Sequence, residues 1–105
     1  MDYVGQVGLT ETDALKRGLK VKTSKLPYED NPAAGVRNET EGMVKVVYEE
    51  GSELILGVHV IGAHAEDVVQ IAAMAIKGGL KKSEVGAMHY VFPTFGGAIF
   101  DAMAS

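Results

Sequence analysis

The chain contains no cysteine, which excludes disulfide scaffolds, thiolate metal sites and redox-active dithiols within it. It also lacks tryptophan and has only three prolines. Lys and Arg total 10 against 14 Asp and Glu, so the formal net charge is -4. Because phosphate binding depends on clustered cations, nucleic acid is not an expected partner. The 105 residues allow one domain with one modest core.

Long apolar runs are missing as well. The longest strongly apolar stretch, Leu54 to Ala65, is interrupted by His59 and His64. It falls well short of the roughly 20 residues that cross a bilayer. The first residues show no basic segment followed by an apolar run, so no signal peptide is expected. We therefore expect a cytoplasmic protein with no membrane partner.

Glycine, in contrast, is abundant, with 13 residues in the chain. Apolar residues make up 47% and charged residues 23%, which is typical of globular proteins and excludes intrinsic disorder and coiled coils. The glycines predict tight turns between short secondary-structure elements.

The first part of the chain predicts a strand, a short helix and a second strand. Tyr3 to Gly8 is the first strand candidate. Thr10 followed by Asp13 fits the capping pattern at a helix start, and Gly18 is placed to end that helix in the left-handed conformation. Val21 to Leu26 reads as the second strand.

The middle of the chain predicts a surface loop followed by an antiparallel hairpin. Pro27 to Asn38 holds two of the prolines and is interpreted as the loop. Met43 to Glu49 alternates between apolar and polar residues, and Glu50 to Ser52 forms the turn. The residues expected on the apolar face of the hairpin are Val44, Val46, Tyr48, Leu54, Leu56, Val58 and Val60.

The remainder predicts helices. Ala65 to Lys77 has apolar residues at helical spacing, Ser83 to Ala87 is a single helical turn, and Pro93 begins a final helix that runs to Ala104. This order of elements predicts an α+β fold, with an antiparallel sheet and helices packed on one face.

No catalytic pattern is visible in these residues alone. The chain has no nucleophile elbow, and Gly5 to Gly8 does not complete a dinucleotide-binding fingerprint. His59, His64 and His89 do not have zinc-ligand spacing, so we expect no metal site. His59 is instead expected to point outward from its strand, and His64 to lie at a helix N-terminus.

Several segments taken together nevertheless resemble a known family. They are Val7 to Glu11 with Ala14, Glu41 to Lys45, Leu56 to Ala65, and Pro93 with Thr94. In this order and at these separations they resemble the C-terminal dimerisation domain of the FAD-dependent pyridine nucleotide-disulfide oxidoreductases. Dihydrolipoamide dehydrogenase, glutathione reductase and mercuric reductase belong to that family. The resemblance extends from about Tyr3 to Ala104.

The resemblance implies a role in assembly. In the family this domain follows an FAD domain and an NAD(P) domain, and it forms most of the two-fold interface. Residues 1–105 would then be a single dimerisation domain. FAD and NAD(P)H would be cofactors of a full-length parent, with none held by this chain.

Two positions depart from the family pattern. The family typically carries His-Pro-Thr with a Glu three residues after the Thr, where the His is the acid/base and the Glu orients it. Here Phe92 occupies the His position and Gly97 the Glu position. Phenylalanine cannot transfer a proton, and His89 is in the wrong register to replace the missing histidine. No catalytic residue is therefore expected.

The two aromatic residues around Pro93 and the apolar residues of the predicted last helix are the residues expected at a dimer interface. They are Phe92, Phe95, Ile99, Phe100 and Met103. Aromatic residues are enriched at such interfaces. Phe92 and Pro93 could also border the flavin of the partner subunit in a full-length dimer, and the two interpretations are compatible.

Three hypotheses follow. The resemblance favours a homodimerisation module of a flavin-dependent NAD(P)H oxidoreductase. The alternative is a freestanding small interaction protein that dimerises or docks on a separate flavoprotein subunit. A metal-binding module built from His59, His64 and His89 has the least support, because no thiolate or carboxylate spacing accompanies the histidines.

Overall fold

A computed structural model of the chain describes residues 4–27, 30–31, 42–88 and 97–104. Within these ranges the strands are β1 (Val4–Gly8), β2 (Val21–Pro27), β3 (Gly42–Glu49) and β4 (Ile55–Gly62). The helices are α1 (Glu11–Lys16), α2 (Ala65–Lys77), α3 (Lys82–Gly86) and α4 (Gly97–Ala104). Most of the predicted loop from Pro27 to Asn38, and the predicted start of the last helix at Pro93, lie outside the described residues.

Helix α1 begins and ends where the sequence predicts. The Thr10 hydroxyl accepts a hydrogen bond from the backbone N–H of Asp13 at 3.0 Å, which satisfies one of the free donors at the helix start. Gly18 follows the helix with a φ of 78°, and the Leu19 N–H donates back to the Ala14 carbonyl.

The four strands form one antiparallel sheet in the order β1-β4-β3-β2. The hairpin predicted in the middle of the chain is the central pair, β3 and β4. Val44 lies opposite Val60 and Val46 opposite Val58, and all four side chains are fully buried. The α+β fold class is confirmed.

The start of β4 differs from the prediction. Leu56 is an extra residue in the pairing, because Val47 lies opposite Gly57 while Tyr48 lies opposite Ile55. This β-bulge reverses the alternation of side chains on its N-terminal side. Ile55 is therefore buried, whereas Leu54 is exposed and Leu56 only half-buried. The prediction that Leu54 and Leu56 share the core face is wrong.

Helices α2, α3 and α4 cover one face of the sheet. The core between the layers combines strand valines with small and branched residues of the helices, including Val68, Ala72, Val85, Ala98, Ile99, Ala102 and Met103. The helical spacing predicted for α2 is confirmed, since Val68, Ala72 and Ala75 are buried and Ile71 and Ile76 pack against the core. None of the helices among the described residues is long and apolar enough to cross a membrane.

Helix α1 lies against the opposite face, which we call the outer face. Lys45 projects from β3 on this side and donates a hydrogen bond to Glu11 of α1 at 3.0 Å. Val47, two residues along on the same face, is fully buried although it does not belong to the main core. Three helices therefore pack on one face, as predicted, and the short α1 covers one end of the other.

Candidate functional site

Helix α4 carries three of the five residues predicted at a dimer interface. Ile99 and Met103 are both fully buried in the core of the chain. Phe100 is half-buried and packs against the edge of that core. This corrects the prediction for Ile99 and Met103, because neither side chain has any surface left for a second copy. Of the three residues, only Phe100 can offer surface to a partner.

The burial of Ile99 and Met103 follows from how α4 is attached to the sheet. The helix is almost entirely apolar, and Asp101 is its only charged residue. The hydroxyl of Ser24 on β2 donates a hydrogen bond to the carbonyl of Ala102 at 2.8 Å, and this bond is buried. Ala98 and Ala102 are fully buried small residues. Their size lets the helix approach the sheet closely.

The other predicted site residues come before α4 in the sequence or begin it. Phe92, Pro93, Phe95 and His89 lie outside the described residues. Gly97 is the first residue of α4 and is buried. It has no side chain that could orient an imidazole, whatever the position of its backbone.

The two described histidines have separate surroundings. His59 lies on the outer face of β4, as predicted, with its Nε2 3.3 Å from the Leu9 carbonyl oxygen. His64 occupies the N-cap position of α2, also as predicted, with a left-handed backbone at φ 61° and ψ 26°. Within the described ranges, no three His, Asp or Glu side chains are placed to share a metal ion.

The direction of the strands can be compared with what binding of FAD or NAD(P)H, the cofactors that the resemblance implies, requires. Dinucleotides such as FAD bind at the turn of a parallel strand–helix–strand unit, where a helix N-terminus meets the pyrophosphate. All strand pairs among the described residues are antiparallel. The described strands therefore do not supply the parallel unit of this mode of dinucleotide binding.

The outer face presents an apolar row that the sequence reading missed. Pro27 lies opposite Met43, Met43 opposite Ile61, and Ile61 opposite Val4, so one residue from each strand joins the row. Val4 is 72% exposed and Ile61 is 45% exposed. We call these four residues the apolar row. Its members are far apart in sequence, and only the strand register brings them together.

A polar row lies next to the apolar row on the same face. It consists of Lys25, Lys45, His59 and Gln6, again with one residue from each strand. Lys45 is held by Glu11, whereas Lys25 is exposed and has no ion-pair partner among the described residues. A periodicity of two could have suggested that these residues point outward, but the periodicity does not reveal which of them are neighbours.

The same fold occurs in solved structures of other proteins. The chain superposes on the HOCl-induced flavoprotein disulfide reductase from Escherichia coli with a TM-score of 0.89 and 22% identity, over 99% of this chain and 26% of that one. It superposes on the NAD-dependent persulfide reductase from A. fulgidus with a TM-score of 0.81 and 17% identity, over 98% and 20%. At these identities the likeness shows a shared fold.

The family is shown by sequence. The profile of the pyridine nucleotide-disulphide oxidoreductase dimerisation domain matches residues 3–103, and the chain belongs to this family. The mercuric reductase of Lysinibacillus sphaericus is 44% identical over 77 residues, which cover 73% of the chain. The dihydrolipoyl dehydrogenase of Synechocystis is 36% identical over 103 residues, which cover 94%. The chain spans only 14% and 22% of the lengths of these two relatives.

Proposed function

We propose that this chain is the homodimerisation module of a flavin-dependent NAD(P)H oxidoreductase and is not catalytic by itself. The observation that carries the proposal is the match to the dimerisation-domain family over residues 3–103, almost the whole chain. The strand valines and α4 share one buried core, so the module has a folded core of its own that can support an interface.

The reaction of the parent enzyme is expected to differ from the dithiol-disulfide reaction that is typical of the family. A phenylalanine at the acid/base position and a glycine at the orienting position cannot together move a proton to or from a dithiol. We therefore place the parent among enzymes whose electron acceptor is not a disulfide. In this proposal FAD and NAD(P)H are bound outside the present chain, and Phe92 and Pro93 border the flavin of the partner subunit.

The proposed interface uses the aromatic residues near α4. Phe92 and Phe95 precede the helix in sequence, and Phe100 is the aromatic residue of α4, which keeps part of its surface after the chain folds. A two-fold interface brings the same patch of both subunits together, so each of these aromatic side chains would be used twice. Aromatic residues also provide much of the binding energy at such contacts.

Replacing Phe92 by Asp tests the interface. An unpaired carboxylate in a desolvated interface costs roughly 3 kcal/mol, and two-fold symmetry places two of them in each dimer, so the dimer dissociation constant should rise by about ten-thousandfold. Sedimentation equilibrium at micromolar protein measures this change. Leu15→Glu is the matched control, because Leu15 is 57% exposed on α1 and the charge change is the same.

Two results would contradict the proposal. One is a Phe92→Asp variant that keeps the dimer mass, and the other is an equal loss of dimer in the Leu15→Glu control.

An immunoblot of the source cells distinguishes a module of a larger oxidoreductase from the freestanding alternative. A band several times heavier than 11.1 kDa supports a parent oxidoreductase, whereas a band at 11.1 kDa with a co-purified flavoprotein supports a separate docking subunit.

A further inference from the structure

The charges of the chain are strongly segregated. Residues 16–25 contain five of the ten Lys and Arg and none of the 14 Asp and Glu. The rest of the chain therefore holds the other five cations together with all of the acidic residues. Residues 16–25 therefore form a cationic segment in a protein whose net charge is negative.

The fold places much of this segment at one side of the outer face. Lys16 and Arg17 are exposed at the end of α1, and Lys25 is exposed on the edge strand β2. Lys25 lies directly opposite Lys45, and like charges in directly opposite positions destabilise a sheet. Glu11 neutralises Lys45 at 3.0 Å, but no carboxylate within the described ranges lies within 4.0 Å of Lys25.

The apolar row is the direct neighbour of Lys25 and Lys45. Pro27 and Met43 are each two residues from the lysine on their own strand, a separation of about 7 Å. The outer face therefore presents a cationic edge beside a strip that ends in Ile61 and Val4, which are 45% and 72% exposed. Such a surface matches a ligand that has carboxylates on one side and apolar groups on the other.

We propose that the outer face is a docking surface for an acidic, amphipathic protein segment. Its carboxylates meet Lys25, and its apolar side chains cover the apolar row. The charge complementarity and the small area favour a short segment. A stable dimer buries about 800 Å² on each partner, which four side chains cannot supply. A second copy would also bring lysines to the face that already holds unpaired ones.

The test is an NMR titration of the isotope-labelled full chain. The ligand is a helical peptide of about 14 residues, four turns long, with Leu on one face and Glu on the adjoining face. We expect resonance shifts at Val4, Lys25, Met43 and Ile61, and none on α2. Affinity should fall as salt is raised from low to physiological concentration, because the attraction is partly electrostatic.

Two variants and two control ligands separate the electrostatic contribution to peptide binding from the apolar contribution. Lys25→Glu should weaken peptide binding by about tenfold, whereas Lys77→Glu, the same charge change on an exposed position of α2, should leave it unchanged. Ile61→Thr should also weaken binding, because it removes apolar area from a strand position that threonine suits. A peptide with Lys in place of Glu, and polyglutamate, should both bind more weakly.

Four outcomes would overturn the proposal. They are no binding at about 1 mM peptide, shifts centred on α2, an equal effect of Lys77→Glu, and polyglutamate binding as tightly as the amphipathic peptide. If Lys25→Glu instead alters the sedimentation mass of the chain alone, the occupant of this face is a second copy. That result would leave the interface proposed around Phe92 to be judged by its own variant.

Discussion

At Gly57 the lack of a side chain determines how closely the chain crosses the outer face. The segment leading into α1 passes directly over this residue, and the Leu9 N–H donates to the Leu56 carbonyl at 2.9 Å. A Cβ built on Gly57 would overlap the Leu9 carbonyl oxygen, which is backbone and cannot move aside alone. The position of α1 on the sheet therefore depends on this one glycine.

Replacing Gly57 by Ala should lower the free energy of unfolding by about 2 to 3 kcal/mol, because the overlap forces a backbone shift in a packed region. Urea unfolding measures the loss. Gly78→Ala is the matched control, since its φ is -78° and its nearest neighbour would be 3.4 Å away. A loss below about 0.5 kcal/mol in Gly57→Ala, within the range of ordinary surface changes, would show that the crossing adjusts easily.

Among the elements, prediction from sequence succeeded where the signal is local. The Thr10 cap, the glycine after α1 and the helical spacing in α2 all involve residues within a few positions of one another. The error in β4 arose because the bulge at Leu56 exists only in the pairing with β3. The outer-face rows were missed for the same reason, since they join residues as distant as Val4 and Ile61.

Helix α4 shows a related difficulty. Its sequence is apolar on almost every side, so periodicity could not separate the residues that fill the core from those at the surface. The structure separates them: Ile99 and Met103 point into the core, and Phe100 keeps exposed surface. The prediction that Phe92 and Gly97 stand at the positions of the family His and Glu rests, in contrast, on a short local motif around Pro93 and Thr94.

The hydrogen bond between Ser24 and Ala102 allows a test of how α4 is anchored to the sheet. Ser24→Ala leaves the buried Ala102 carbonyl without its side-chain donor, so we expect the free energy of unfolding to fall by about 1 to 2 kcal/mol. Ser83→Ala on α3 is the control, because Ser83 is exposed and such changes stay within about 0.5 kcal/mol. Equal midpoints in thermal or urea unfolding for the two variants would contradict the anchoring role.

For the whole molecule, the described parts of the two proposed contact regions lie on opposite faces of the sheet. Phe100 lies on α4, on the helical face, whereas Lys25 and the apolar row lie on the outer face. The two proposed surfaces share no described residue. A charge variant on one face should therefore leave binding at the other unchanged.

Self-association should also appear in the thermal stability of the chain. If the folded state is a dimer and the unfolded state a monomer, mass action raises the Tm with protein concentration. A tenfold increase adds about 1.4 kcal/mol per dimer, which for a domain of this size raises the Tm by about 3 to 5 °C. Calorimetry at low and high micromolar concentration measures this shift. Phe92→Asp should melt at a lower temperature that does not change with concentration, and a concentration-independent Tm in the unmodified chain would contradict a dimeric native state.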